Sequence, residues 1–341
     1  ARTVGTVRSQ SVSAGYLPTA DYDSVSLPRS LPCTSGRDSF SVLSDEMLLS
    51  VFRWLHKRTL ASAMLVCKRW HRVACDETLW QRLDLGNKNL SKDALGRILA
   101  RKPVIVRLAS SEIGEWHPTT PPSQSRIQYL DLSMATIDVA TLNHLLARCS
   151  ALKKLSLESV QLEDTSCQMI GEYRFNTNII SFCSRLLSLN ISWCNLDEAA
   201  LEVLVTLLPQ KIQRLNIGGA RIMTDDILAR LVARAPRLLE LDVSDCGRLT
   251  QRVAASLASL PRLEHLALSR CYLLPAHALT KLGSMSSLQY VDVWGMLHAH
   301  ALAALRAALP HVQINTFMFS AIARPTVGTR RTSIWGLRTR D

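Results

Sequence analysis

The residues of this chain that could perform bond chemistry are its cysteines and histidines, and their spacing argues against that use. The 341 residues include nine cysteines, an odd set without a Cys-x-x-Cys pair, and nine scattered histidines. His298 and His300 are close in sequence, but no cysteine or acidic cluster joins them at metal-ligand spacing. We therefore predict no metal, no cofactor and no disulfide framework. Cys149, Cys183 and Cys194 lie in apolar stretches, which is typical of free thiols in a reducing cytosol or nucleus.

A catalytic nucleophile is not expected either. No histidine with an acidic partner accompanies Cys67, Cys194 or Cys271, so we predict packed thiols at these positions. The chain instead carries tryptophan, tyrosine and arginine, the residue types that anchor protein interfaces. Arginine offers a planar fork of donors to carboxylate and phosphate oxygens. The sequence therefore favours binding over catalysis.

The charge of the chain narrows the kind of partner. The formal net charge is +12, which suits either nucleic acid or an acidic protein. The basic residues lie next to no aromatic stacking motif, and no nucleic-acid fold signature is present, so we favour a protein partner. No apolar run approaches the ~20 residues that cross a bilayer. We expect no nucleic acid and no membrane among the partners, and a nuclear and cytoplasmic location.

A repeated phrase identifies the elements that must position the binding residues. Subtracting the first positions of its seven copies gives steps of 25, 34, 26, 26, 25 and 25 residues. A period in this range predicts a leucine-rich repeat solenoid, which presents a long curved binding face. The copies are Leu130-Asp131-Leu132, Leu155-Ser156-Leu157, Leu189-Asn190-Ile191, Leu215-Asn216-Ile217, Leu241-Asp242-Val243, Leu266-Ala267-Leu268 and Val291-Asp292-Val293.

Each repeat is predicted to contain a short strand, a turn and an amphipathic helix. The helices include Ala140–Cys149, Ala199–Leu208, Asp225–Ala235 and Ala299–Leu309. Strand periodicity points the outer residues of each phrase inward and the central one to the concave face. The central residues would form one polar column, at 131, 156, 190, 216, 242, 267 and 292. The strand ends would add a second column: Trp193, Gly219, Asp245, Arg270 and Gly295.

The chain divides by composition into four parts. Residues 1–39 are rich in Ser, Thr, Gly and Pro and are expected to be disordered. Residues 40–82 show helical periodicity with Ser44 as a candidate cap. The repeats occupy 83–316 and become irregular at 158–184, where the step of 34 predicts a bulging or poorly ordered loop. Residues 317–341 form a tail. Because no flexible linker separates the helical unit from the repeats, we expect the two to move as one body.

The helical unit carries a recognisable motif. Residues 43–49 (LSDEMLL), Val51-Phe52, residues 66–70 (VCKRW) and residues 76–80 (DETLW) resemble an F-box. Together with the repeats they resemble the F-box and leucine-rich repeat family, in particular its S-phase kinase-associated members. Those members carry phrases similar to residues 189–194, 266–272 and 322–328, and the resemblance covers about residues 40 to 337.

The resemblance implies an α/β fold: an N-terminal three-helix F-box, then a right-handed, curved solenoid with strands on the concave face and a tail folding back on it. It implies a non-catalytic substrate receptor of an SCF (cullin-RING) ubiquitin ligase. The adaptor would be bound directly, and the cullin and RING subunits through it. The target would be a phosphorylated inhibitor of cyclin-dependent kinases, read with a small kinase-accessory protein. A cyclin–kinase complex is a further candidate partner.

The resemblance also assigns residues. The F-box residues that would face the adaptor or support that face are Leu43, Leu48, Phe52, Cys67, Trp70 and Trp80. The residues that would bind the accessory protein and phosphorylated substrate are Trp193, Arg221, Asp245, Arg270, Tyr272 and Phe319. Asp245 and Arg270 lie one repeat apart, so they could equally pair with each other.

The chain departs from this family in three places. Ser44 stands where an F-box usually has proline. The family has two repeats where this chain has a single step of 34 residues, and residues 1–39 show no match. Two other readings remain open: a leucine-rich repeat scaffold without ligase function, and an F-box receptor for a different target.

Overall fold

The computed structural model describes residues 39–118, 124–170, 172–175, 178–181, 183 and 185–324. The predictions for residues 1–38 and 325–341 lie outside these ranges. The chain divides into two compact units, the first ending at Ala74 and the second beginning at Cys75.

The first unit consists of three short helices after a 3-10 turn. The turn spans Ser39–Val42, and the helices are α1 (Asp45–Phe52), α2 (Lys57–Ala63) and α3 (Lys68–Ala74). Helix α1 begins where predicted, because the Oγ atom of Ser44 accepts a hydrogen bond from the Met47 amide at 3.3 Å. The few buried apolar side chains include Leu48, Phe52, Leu60 and Val73.

One arginine connects the beginning of the first unit to its last helix. The Nε atom of Arg69 donates to Asp45 at 2.9 Å, and the other guanidinium nitrogens donate to the carbonyls of Phe40 and Leu43. Arg72 also donates to Asp45, at 2.6 Å. Hydrogen bonds from Arg69 and Arg72 hold the pKa of Asp45 below its usual range. Such polar ties support a unit whose apolar core is small.

The second unit is built from short strands alternating with helices. Its strands are β1 (Arg82–Asp84), β2 (Asn89–Leu90), β3 (Ile105–Arg107), β4 (Glu112–Ile113), β5 (Tyr129–Asp131), β6 (Lys154–Ser156), β7 (Glu172–Phe175), β8 (Asn178–Ser181), β9 (Ser188–Asn190), β10 (Arg214–Asn216), β11 (Glu240–Asp242), β12 (His265–Ala267), β13 (Tyr290–Asp292) and β14 (Gln313–Ile314). Its helices are α4 (Ala94–Ala100), α5 (Val139–Leu146), α6 (Asp164–Ile170), α7 (Glu198–Leu207), α8 (Asp225–Arg234), α9 (Val253–Ala258), α10 (Ala276–Leu279) and α11 (Ala299–Ala308), with 3-10 turns at Glu77–Trp80 and Thr280–Ser284. The four helices predicted from sequence are present.

Ten of these strands form one parallel sheet. Their order is β1-β3-β5-β6-β9-β10-β11-β12-β13-β14, so each repeat pairs with the next along the chain. Register follows the repeated phrase: Leu215 lies opposite Leu189 on one side and Leu241 on the other. A single apolar core runs from Leu90 to Ile314 beneath the sheet. This arrangement confirms the predicted solenoid.

The long step of 34 residues does not interrupt the sheet. Strand β6 pairs directly with β9, and the Leu157 amide donates to the Asn190 carbonyl at 2.8 Å. Helix α6 buries Cys167 and Ile170, as a repeat helix should. The extra residues form an antiparallel hairpin of β7 and β8. The expected loop is therefore replaced by an ordinary repeat helix followed by an added hairpin.

The central residues of the repeated phrase lie next to one another in the strand register and form one column, as predicted, and all of them are buried. Asn190, Asn216 and Asp242 each fold back so that Oδ1 accepts the amide of the residue two positions later, at 3.1, 2.9 and 2.9 Å. This Asx turn ends the strand and occupies the side chain. Burial also raises the pKa of Asp131 and Asp242.

Asn216 and Asp242 accept the same turn hydrogen bond, one as a neutral amide and the other as a carboxyl group. Exchanging the two residue types therefore tests the effect of a charge at this place in the repeat. Because burial raises the pKa of Asp242, its contribution to stability is complete below the ordinary carboxyl pKa and is lost as pH rises through the raised value. Asp242→Asn keeps the turn bond, so we expect the melting temperature at pH 7 to rise by about 2 °C, the effect of ~1 kcal/mol. The gain should shrink towards pH 4. Asn216→Asp should show the opposite sign, and a lower melting temperature for Asp242→Asn at pH 7 would refute this account.

Candidate binding surfaces

The first unit exposes an unusual number of large apolar side chains. Trp54 is 78% exposed, and the other six are Phe40, Val42, Met47, Val51, Leu65 and Val66. Met47, Val51 and Trp54 follow helical spacing around the end of α1. Large exposed apolar surface on so small a unit is typical of a protein-docking face. We call these seven residues the apolar face.

The structure separates the predicted adaptor residues into buried, half-buried and exposed positions. Leu48 and Phe52 are buried in the core, and Leu43 is half-buried. Trp70 packs edge-to-face against Phe40 and Phe52, with ring centroids 5.2 and 5.3 Å apart. Cys67 is exposed and not packed, contrary to expectation, and its Sγ atom accepts the Trp70 amide at 3.4 Å.

Trp80 lies in the second unit. It is buried in the 3-10 turn Glu77–Trp80, and the guanidinium of Arg101 lies 5.0 Å from its ring centroid. This contact combines burial with a cation–π interaction. Trp80 therefore belongs to a different unit from the other predicted adaptor residues.

The sequence analysis selected none of the seven residues of the apolar face as adaptor-binding residues. A signal was present, because α1 is apolar on two sides: Leu48 and Phe52 on one, Met47 and Val51 on the other. A short helix with apolar residues on two sides buries only one of them in its own unit, and the other side is available to a partner protein.

The second predicted column is held in place by the backbone. Trp193, Asp245 and Arg270 have φ near +60°, and Gly219 and Gly295 have φ of 78° and 71°. The Trp193 amide donates to the Gly218 carbonyl at 2.9 Å, and the Arg270 amide to the Trp294 carbonyl at the same distance. A left-handed residue other than glycine costs about 1–2 kcal/mol. The repeat geometry thus imposes this conformation and fixes where each side chain leaves the turn.

Trp193 lies flat against the next turn. A Cβ atom on Gly219 would approach the indole Cδ2 atom to 2.7 Å, so glycine there makes room for the ring. The indole remains 40% exposed. A rigid, partly exposed indole is a suitable anchor for a partner.

Asp245 and Arg270 form an ion pair across neighbouring repeats. The Nε and Nη2 atoms of Arg270 donate to the two carboxylate oxygens of Asp245, each at 2.5 Å. The hydrogen bonds that Arg270 donates to the Asp245 carboxylate raise the pKa of Arg270. A bidentate pair of this kind fixes the orientation of the guanidinium more than it stabilises the fold.

The remaining predicted residues of this surface are exposed. Tyr272 and Phe319 are each 69% exposed. Arg221 is exposed and forms no hydrogen bond or ion pair with the residues that the structure describes. Leu273 and Met318, which the sequence analysis did not select, are also exposed. The surface therefore combines apolar and cationic groups, as protein interfaces do.

The tail begins on the last strands of the sheet. The Phe317 amide donates to Asp292 Oδ1 at 3.0 Å, and its carbonyl accepts from the Trp294 indole at 2.9 Å. The Phe317 ring lies 5.2 Å from the rings of His265 and Tyr290. The start of the tail, two residues before Phe319, is thus fixed over the last strands of the sheet.

The buried thiols have a structural use. The Sγ atoms of Cys194 and Cys271 donate to the carbonyls of Leu157 and Val243, at 3.0 and 3.3 Å. Burial raises the pKa of Cys194 to about 12 and that of Cys271 to about 11. Both therefore stay protonated, as packed thiols. Within the described ranges, no cluster of ligating side chains fits a metal ion, and no helix has the length and apolarity to cross a membrane.

Two protein-family models match this chain. The F-box-like model matches residues 43–86, and the SKP2 LRR domain model matches residues 175–341. The first covers the apolar face from Met47 onward, and the second covers Trp193, Arg270 and the tail.

Curated relatives are more distant. The lysine-specific demethylase 2A of Xenopus tropicalis is 27% identical over 219 residues, which cover 61% of this chain and 16% of that protein. The lysine-specific demethylase 2B of Mus musculus is 26% identical over 240 residues, covering 65% of this chain and 15% of that protein. The chain thus spans about one sixth of the length of the curated relatives it matches.

Similar solved structures are a complex of Rad7 and Elc1 from yeast and internalin C2 from Listeria monocytogenes. The first has a TM-score of 0.46 and 16% identity, and covers 82% of this chain and 84% of that chain. The second has a TM-score of 0.43 and 17% identity, and covers 70% of this chain and 91% of that chain.

The glycine under Trp193 provides a test of this surface. In Gly219→Ala the new methyl group would meet the indole, and alanine is strained at φ of 78°. We expect the free energy of unfolding to fall by ~1–3 kcal/mol and the indole N–H resonance of Trp193 to shift. Gly247→Ala is the control, because nothing lies within 4 Å of its Cβ position. Denaturant unfolding and NMR measure both effects, and equal behaviour of the two variants would contradict the described packing.

The fold and the two matched segments agree on one architecture. A compact helical unit lies in the F-box-like match, and a parallel-stranded solenoid lies in the repeat match. The chain therefore carries an F-box-like segment followed by a leucine-rich repeat domain.

Proposed function

We propose that this chain is the substrate-recognition subunit of an SCF (cullin-RING) ubiquitin ligase. The observation that carries the proposal is the apolar face on the first unit, in a chain whose second unit holds a separate anchor surface. Two different binding surfaces on one chain suit a protein that joins a target to a catalytic assembly. Its contribution to rate would be a raised effective concentration of the target lysine.

The adaptor would dock on the apolar face. Val51, Trp54 and Val66 expose large apolar area, whose burial contributes roughly 25 cal/mol per Å². Leu48 and Phe52 form the core from which α1 presents those side chains. Cullin and RING subunits would be reached through the adaptor.

The target would bind the surface formed by the residues that follow the strand ends and by the start of the tail, which we call the strand-end surface. Its residues are Trp193, Arg221, Asp245, Arg270, Tyr272 and Phe319. Trp193 and Tyr272 supply aromatic anchors, and Arg221 is an exposed cation that can meet a phosphate or carboxylate. The match to the SKP2 LRR domain supports a phosphorylated cell-cycle regulator as target, such as a cyclin-dependent kinase inhibitor. We propose that a small kinase-accessory protein completes this site, that the chain is an S-phase kinase-associated F-box protein, and that it acts without catalysis of its own in nucleus and cytoplasm.

A scaffold without ligase function is the alternative from another class. It would use the same repeats but would have no need for the apolar face. An F-box receptor for a different target would keep the apolar face and use the strand-end surface differently. The two experiments below separate these cases.

Adaptor capture tests the first surface. Val66 is 61% exposed, so Val66→Asp should leave the fold intact while placing a charge in the docking face. We expect capture by immobilised adaptor to weaken at least ~30-fold, the effect of about 2 kcal/mol. Arg306→Asp, at an exposed position on α11, should bind as wild type does. Unchanged capture by Val66→Asp, or no capture by wild type, would favour the scaffold.

Phosphopeptide binding tests the second surface. With the accessory protein present, Trp193→Ala and Arg270→Ala should each weaken binding of a phosphorylated kinase-inhibitor peptide at least ~30-fold. Adaptor capture should not change. Fluorescence anisotropy with phosphorylated and unphosphorylated peptides measures the effect. Binding that ignores the phosphate would leave the general F-box receptor and exclude this target class.

A further inference from the structure

The described part of the tail reaches a charged contact far from where the tail starts. Arg324 Nη2 donates to Glu158 Oε1 at 2.6 Å, joining residues 166 positions apart. The two preceding side chains, Ile322 and Ala323, are buried. The segment from Phe317 to Arg324 therefore crosses the sheet from β13 to the repeat of β6.

Arg324 meets a group of buried acids. Glu158 is 8% exposed and also accepts from Asn190 Nδ2 at 3.3 Å. Burial raises the pKa of Asp131 and of Asp242; the charge of Glu158 adds to the effect at Asp131, and that of Arg324 opposes it at Asp242. We call Asp131, Glu158 and Asp242 the acidic trough.

Other charges facing the trough only partly neutralise it. Arg107 Nε lies 3.6 Å from Asp131, and the charge of His265 acts on Asp242. Glu158 has Arg324 as its ion-pair partner among the described residues. Buried carboxylates without a cation are costly, so the trough is built to hold a positively charged side chain.

The fit of Arg324 in the trough is incomplete. Its Nε atom is buried without a hydrogen-bond partner. Under the preceding part of the tail, a cavity of about 20 Å³ remains, lined by Asp242, His265, Phe317 and Ile322. An unsatisfied buried donor costs ~1–3 kcal/mol. Arg324 pairs with Glu158 but leaves its own Nε atom unsatisfied, so another arginine side chain could replace it.

We propose that the acidic trough is a recognition site for an arginine on an extended peptide, preceded by apolar residues, and that Ile322-Ala323-Arg324 is its displaceable intramolecular occupant. This rests on the proposed function, because it makes the strand face a second peptide subsite of the receptor. The partner is a basic, unphosphorylated segment, distinct from the acidic or phosphorylated group that Arg221 would meet.

The intramolecular occupant masks the trough. A segment tethered this closely acts at an effective concentration of about 1 mM. A free peptide of ~100 μM affinity is then weakened about tenfold in apparent affinity. Binding should also weaken with salt, since it depends on one ion pair.

The experiment uses a fluorescent synthetic peptide of residues 319–326 (FSAIARPT) and the full chain. Arg324→Gln should bind it about tenfold more tightly than wild type or Arg306→Gln, an exposed arginine control. Adding Glu158→Gln to Arg324→Gln should abolish binding. A peptide with Gln in place of its arginine should not bind any chain. Hydrogen exchange of the strand amides checks that each variant is folded.

A second measurement needs no variant. Excess unlabelled peptide should accelerate amide exchange at Ile322 and Ala323 in wild type, while the Gln peptide leaves it unchanged. Equal binding by all chains, equal binding of the two peptides, or unchanged exchange would overturn the proposal. Adaptor capture does not involve the trough, so failure here is distinguishable from failure of the proposed function.

Discussion

The strand-end turn is the feature on which the second unit depends. In five of the repeats that the structure describes, an Asx side chain at the strand end accepts a turn amide, as at Asn190. A left-handed residue in the turn then donates its own amide to the next repeat, as at Trp193. The first bond fixes the turn after the strand, and the second keeps neighbouring turns in register. Because both are local to the turn, the 34-residue step leaves the sheet continuous at β6 and β9.

The same turn decides which side chains can be used for recognition. The central residue of each phrase is buried, whereas the left-handed residue projects its side chain outward. At Trp193 that conformation places an indole on Gly219, and at Arg270 it places a guanidinium on Asp245. The proposed target surface would thus follow from how the repeats stack. Anchors that are fixed before a partner binds would lower the entropy that binding must overcome.

Much of this could be predicted from sequence, and the failures have physical causes. Local spacing predicted the solenoid, the column of central residues and the capping role of Ser44. It left two roles open for Asp245 and Arg270, which pair with each other in the structure. It did not reveal that Asn190 and its equivalents are buried, since strand alternation ignores Asx turns. It missed Trp54 and Val66, because an apolar residue at helical spacing is equally consistent with a core. It could not foresee the contact of Arg324 with Glu158, which joins positions 166 residues apart.

The central claim is that one chain holds an adaptor and a phosphorylated target at the same time on separate surfaces. Mass photometry of the full chain with adaptor, accessory protein and phosphorylated target tests it most directly. The account predicts a single species whose mass is the sum of all the components, and its loss when the phosphate is removed. Mutually exclusive binding of adaptor and target, or a complex that lacks the adaptor, would contradict it.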